Sequence, residues 1–141
     1  MHIVDGNVLL NASNERSPDH SAAVTWLDGA LDGTTTVGFA WMVVLTFLRV
    51  STSPAAFARP LSVEAACAGI EDWLAQPAAV EIEPGAGHLE RVRRLLAAVG
   101  AAGNLVNDAH LAALALEYDA EVVSFDRDFA RFEGVRWRLP Q

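Results

Sequence analysis

Apolar and polar positions along this chain switch repeatedly between the two-residue period of a strand and the 3.6-residue period of a helix, which predicts strands separated by helices. Ile3 and Val4 open a short buried strand that ends at Asp5. Ala22, Ala23, Trp26, Leu27 and Ala30 recur on one face of a helix expected to start with Ser17 as N-cap and Pro18 in the first helical position. Thr35 to Phe39 is β-branched and aromatic, a second strand, and an apolar helix follows from Trp41 to Val50. Ser62 is the expected cap of a helix buried through Val63, Ala66, Ile70, Trp73 and Leu74, with Pro77 as its stop. Val80 to Glu83 reads as a third strand. Leu89, Val92, Leu95, Leu96 and Val99 mark a helix closed by Gly100, and Asn107 is the expected cap of the next, buried through Leu111, Leu114 and Ala115. A strand from Glu121 to Phe125, a helical turn from Arg127 to Phe132 and a strand from Val135 to Trp137 complete the pattern. This alternation, without repeat or linker, implies one α/β domain with a mainly parallel sheet.

The length of 141 residues suits one domain, and 52% hydrophobic against 20% charged residues excludes disorder as a description of the whole chain. Cys67 has no partner for an internal disulfide, and the four histidines lack the paired spacing of a zinc module, so a reducing, cytoplasmic setting is expected. No basic segment followed by an apolar run opens the chain, and the stretch from Val37 to Leu48 is too short to span a bilayer. A formal charge of −8 argues against holding nucleic acid by overall charge. It leaves open an acidic site neutralised by a metal, or a basic partner covering an acidic surface.

Helices run opposite to the strands of a parallel sheet, so helix N-termini and strand C-termini share one edge, the edge where such sheets bind ligands. Asp5 ends the first strand, Asp108 falls in the first turn of its helix, and Asp126 follows the strand from Glu121. All three carboxylates are expected on that edge, with Asp128 on the same turn as Asp126. Clustered acids repel one another, and a hard divalent cation relieves the repulsion. Asn7 is a candidate to fix Asp5 or a metal-bound water, and Ser124 to steady Asp126.

These residues resemble the PIN-domain ribonucleases, specifically the VapC-like toxins of bacterial toxin–antitoxin pairs. The likeness rests on Val4-Asp5-Gly6-Asn7-Val8-Leu9-Leu10, on Phe47-Leu48-Arg49-Val50, on the run from Gly103 to Ala115 that contains Asn107-Asp108-Ala109-His110, and on Ser124-Phe125-Asp126-Arg127-Asp128-Phe129. It implies a Rossmann-like three-layer α/β/α fold with strand order 3-2-1-4-5. It also implies Mg²⁺ or Mn²⁺ dependence and endonucleolytic cleavage of structured RNA such as tRNA or ribosomal RNA loops. Metal binding carries over to Asp5, Asp108 and Asp126, with Asp128 as the fourth acid, and the family further implies a homodimer and a VapB-like antitoxin that enters the active-site groove. One position departs: many PIN domains have a glutamate where this chain has Thr46, whose hydroxyl brings no charge, which implies weaker metal binding or a single ion.

Each residue also has a plainer role. Asp5 reads as a helix N-cap, Asp108 as a carboxylate favoured by a helix dipole, and Asp126 or Asp128 alone as a turn residue. His20, His88 and His110 stand singly and read as surface or packing residues, the tryptophans as core or dimer anchors, and Cys67 as buried. Among the arginines able to hold RNA, Arg16, Arg49, Arg59 and Arg131, the favoured pair is Arg49 and Arg131, each following a motif on the site edge. A catalytically silent RNA- or antitoxin-binding module and a DNA nuclease of the same fold are the competing readings.

Overall fold

The computed structural model describes residues 1–141. Five strands, β1 (His2–Val4), β2 (Val37–Ala40), β3 (Ala79–Ile82), β4 (Glu121–Val123) and β5 (Arg136–Arg138), form one sheet in the order β3-β2-β1-β4-β5. Every neighbouring pair is parallel, and β1 lies in the centre, with Ile3 opposite Gly38 on one side and Val122 on the other. Parallel strands need crossover connections, and six helices supply the first three, while the 3-10 turn Arg127–Arg131 lies between β4 and β5. These are α1 (Gly6–Ala12), α2 (His20–Leu31), α3 (Trp41–Ser51), α4 (Val63–Leu74), α5 (His88–Val99) and α6 (Val106–Glu117). α1 packs on α2 and α3, and α3 on α4, while α5 pairs with α6. Right-handed crossovers put the first four on one face of the sheet and the last two on the other, giving three layers.

A single core joins the layers, with Ile3, Val4, Val37, Phe39, Val122 and Val123 of the sheet meeting Leu9, Leu27, Phe47, Leu111 and Leu114 of the helices. Continuous apolar strands are what a sheet buried on both faces requires. Gly38 makes room on β2 for the side chain of Ile82 from neighbouring β3, whose Cδ1 would lie 3.1 Å from a Cβ there. Phe47 is buried and meets the edge of Trp73 at 4.9 Å between ring centroids, fastening α3 to α4.

Several sequence expectations are corrected. α1 has no counterpart in the periodicity, because Gly6 and Asn7 are poor helix formers and the segment is only seven residues long. α2 begins at His20, not Pro18: Ser17 Oγ donates to Asn11 Oδ1 at 2.6 Å and accepts from the Asp19 amide, forming a turn ahead of the helix. Asn107 is not a cap, since a 3-10 turn at Gly103–Leu105 leads straight into α6. β4 stops at Val123, where Ser124 leaves the sheet, and Cys67 is half-buried. Ser62 caps α4 as expected, accepting the Ala65 amide at 3.1 Å, and Gly100 closes α5 with φ 71°.

Phe47→Ala removes the ring that joins α3 to α4. It should cost about 3–5 kcal/mol, read as a lower urea midpoint with an unchanged slope.

Candidate active site

The central strand feeds directly into α1, and Asp5 occupies the junction. Its backbone is extended, its amide donates to the Val123 carbonyl of β4 at 3.1 Å, and its Oδ1 accepts the Gly6 amide at 2.6 Å. Oδ2 accepts from Ser124 Oγ at 2.6 Å and from Asn7 Nδ2 at 2.8 Å. The same Asn7 nitrogen donates to Ser124 Oγ at 2.8 Å, while Asn7 Oδ1 accepts the Phe125 amide at 3.1 Å. Ser124 Oγ receives the Asp126 amide as well, at 2.9 Å. A hydroxyl that accepts twice has one proton left to give, and Asp5 takes it, so the network is satisfied with Asp5 as an ionised acceptor. The outcome is a stitch between the ends of β1 and β4.

Asp126 Oδ1 accepts the Asp128 amide at 2.8 Å and so caps the 3-10 turn Arg127–Arg131. Asp108 lies in the first turn of α6. Asp5, Asp108 and Asp126 line one cavity of about 230 Å³ together with Asn7, Thr46 and Asn107, and Leu10, Met42 and Val43 form its apolar wall. None of the three carboxylates has an arginine or histidine partner. Burial pushes the Asp5 carboxyl up, against the pull of its Ser124 and Gly6 hydrogen bonds, and Asp126 adds to the rise. Burial first, then Asp126, Asp5 and Asp128, raise Asp108 to about 6. Negative charge therefore accumulates here without compensation inside the chain.

A hard divalent cation fits this donor set of anionic oxygens. The three side chains are not already gathered as a closed ligand cluster, and Mg²⁺ characteristically keeps several waters and takes only one or two carboxylates. Thr46 takes a packing position: its Cγ2 would lie 3.4 Å from a Cβ on Gly6, so the absent glutamate and the small Gly6 belong to one close contact between α3 and α1.

Some expected site residues sit elsewhere. Ser124 does steady Asp126 as expected, by accepting its amide, but it gives its own proton to Asp5. Asp128 lies outside the cavity, with Oδ1 3.4 Å from Arg131 Nη1, so Arg131 is a paired cation and not a free one. Arg49 is exposed and has no carboxylate partner. His110 also stays out of the cavity, its Nδ1 lying 2.8 Å from His88 Nε2. Sequence reasoning missed Leu10, Met42, Val43 and Asn107, and the first of these was hidden because α1 itself was not recognised.

The PIN domain family model matches residues 2–135. Ribonuclease VapC37 of Mycobacterium tuberculosis is 54% identical over 140 residues, covering 99% of this chain and 97% of that protein. The chain belongs to the PIN-domain family, among the VapC-like proteins. Ribonuclease VapC33 of the same organism is 39% identical, with 99% of this chain and 98% of that protein covered. Two solved structures share the VapC-like fold. VapBC2 from Rickettsia felis, bound to a DNA fragment from its promoter, gives a TM-score of 0.73 at 18% identity, covering 99% of this chain and 98% of that chain. VapC20 of Mycobacterium tuberculosis, a sarcin-ricin loop cleaving toxin, gives 0.71 at 17% identity, covering 96% and 99%.

Because Asp108 is raised in the folded chain, the metal-free protein holds a proton between pH 3.8 and about 6 that the unfolded chain has released. Stability from this group is therefore lost as pH rises through that window. Asp108→Asn should raise stability at pH 7 by about 1 kcal/mol, after discounting for the half-exposed carboxyl. The gain over the parent should vanish as thermal melts in EDTA are taken down towards the ordinary aspartate pKa.

Proposed function

We propose that this VapC-like chain is a divalent-metal-dependent endoribonuclease that cuts structured RNA, such as tRNA or ribosomal RNA loops, and is restrained by a cognate VapB-like antitoxin. The observation that carries the reading is the cavity of three unpaired carboxylates, Asp5, Asp108 and Asp126, at the C-terminal edge of the sheet. The 54% identity to a ribonuclease supports RNA as the substrate class. Asp5, Asp108 and Asp126 would hold Mg²⁺, with Mn²⁺ as a substitute. When bound, the cation supplies Lewis-acid polarisation of a phosphodiester and acidifies water for in-line attack.

The chain's own groups supply the rest. Ser124 and Asn7 aim the Asp5 carboxylate, and the Ser124 bond favours its ionised form against burial, while the apolar wall of Leu10, Met42 and Val43 limits water on one side of the cavity. Asp128 acts from outside, adding negative potential and holding Arg131. Arg49, on α3 and free of carboxylates, faces the RNA backbone. A homodimer joined partly through Trp41 and Leu45, 45% and 55% exposed one turn apart on α3, completes the assembly. No helix is long and apolar enough to cross a membrane, in keeping with a cytoplasmic site of action.

Labelled RNA and DNA of one sequence, each incubated with Mg²⁺ or EDTA, test the proposal. RNA should be cut only with Mg²⁺, and Asp5→Asn should slow it by at least about 100-fold, the scale of losing one electrostatic contact to the transition state. Cutting that survives EDTA, or equal cutting of DNA, would refute the assignment, and RNA binding with no cleavage would favour the catalytically silent module.

A further inference from the structure

All ten positive side chains of this protein are arginines, and six of them are engaged with carboxylates: Arg91, Arg93, Arg94, Arg131, Arg136 and Arg138. Arg16, Arg49, Arg59 and Arg127 are not. Two of these four, Arg16 and Arg59, line the same pocket of about 180 Å³, with Ser13, Asn14, Glu15, Phe57 and Ala58. Neither guanidinium has a hydrogen bond or ion pair within the protein, although the Glu15 carboxylate borders the pocket. In a chain of charge −8, two free cations in one concavity constitute an unused anion site.

The location of the pocket gives it meaning. α1 and α3 are the walls of the carboxylate cavity, through Gly6, Asn7 and Leu10 on one side and Met42, Val43 and Thr46 on the other. Beyond the cavity both walls lead to the second pocket. Ser13 ends α1 and Arg16 follows it, while the loop after α3 carries Phe57 and Arg59. Arg49 lies on α3 three residues beyond Thr46, exposed and at a neighbouring position on the helix surface. From Gly6 to Ser13 the helical rise is about 10 Å, so the two pockets are separated by a short stretch of polynucleotide.

We propose that Arg16 and Arg59 form a phosphate-binding site that holds the RNA backbone along the α1–α3 groove, away from the bond to be cut. The assignment rests on the endoribonuclease reading for its ligand. Arginine suits it, because its planar fork binds phosphate oxygens in pairs and keeps its charge at every accessible pH. Base identity is not read at such a contact; the site sets the register of the strand against the carboxylates.

The test is binding of a short fluorescein-labelled single-stranded RNA to the full chain over a potassium chloride series, in EDTA so that no cleavage intervenes. Each single-strand phosphate contact contributes about 0.7 to the slope of log affinity against log salt, so Arg16→Ala with Arg59→Ala should lower the slope by about 1.4. Arg16→Lys with Arg59→Lys should restore most of it, which a folding defect would not allow, and Arg93→Ala, on exposed α5, should leave it unchanged. A double-alanine slope equal to that of the parent overturns the site. So does an unchanged RNA slope accompanied by lost binding of a glutamate-rich peptide, which would assign the pocket to an acidic protein segment. A parent that binds RNA with the expected slope yet never cuts it under Mg²⁺ overturns the nuclease reading and leaves the phosphate site standing.

Discussion

The structure depends on one junction, where the buried Asp5 carboxylate takes donors from both the helix it caps and the end of the strand beside its own. Gly6 and Asn7 reach it from α1, and Ser124 reaches it from the end of β4. Without those bonds a desolvated carboxylate would protonate or leave the interior, since an uncompensated buried charge is among the costliest features a fold can contain. With them, the rise that burial imposes is opposed and the carboxylate is fixed in direction. The parallel sheet supplies the rest, because strand ends and helix starts share an edge, and Asp108 and Asp126 reach the same cavity from distant parts of the chain.

The distribution of charge follows from this. The three carboxylates are kept free of internal cations, so burial first and their mutual repulsion second raise Asp108 and Asp5 and make the cavity a place where positive charge is wanted. Elsewhere most guanidinia are matched to carboxylates, as in the Glu90 pairs with Arg93 and Arg94 on α5, while many carboxylates stay unpaired in a chain of charge −8. A surface whose cations are mostly consumed in pairs and whose net charge is negative has little pull on nucleic acid, which leaves that task to the few unmatched arginines beside α1 and α3. Overall acidity and an anionic substrate are compatible when the cations are placed and not merely numerous.

Much of this was legible in the amino-acid order, and the parts that were not have physical causes. Long amphipathic helices such as α5 and capped ones such as α4 announce themselves by periodicity, by Ser62 and by Gly100. The shared edge of Asp5, Asp108 and Asp126 followed from alternation alone. α1 stayed hidden because its stability comes from the Asp5 cap and from burial of Val8 and Leu9, not from propensity. The pairing of Asp128 with Arg131 and the turn of Ser124 towards Asp5 depend on rotamers that no spacing rule encodes. Thr46 was visible as a departure from many PIN domains, but its contact with Gly6 appears only once α1 and α3 are packed together.

The stitch between β1 and β4 ties the durability of the cavity to that of the sheet. Asp5, Asn7, Ser124 and the amides of Phe125 and Asp126 cannot separate unless the two central strands also part. On its β1–β4 side the pocket therefore lasts as long as the sheet does, as a keystone falls only with its arch.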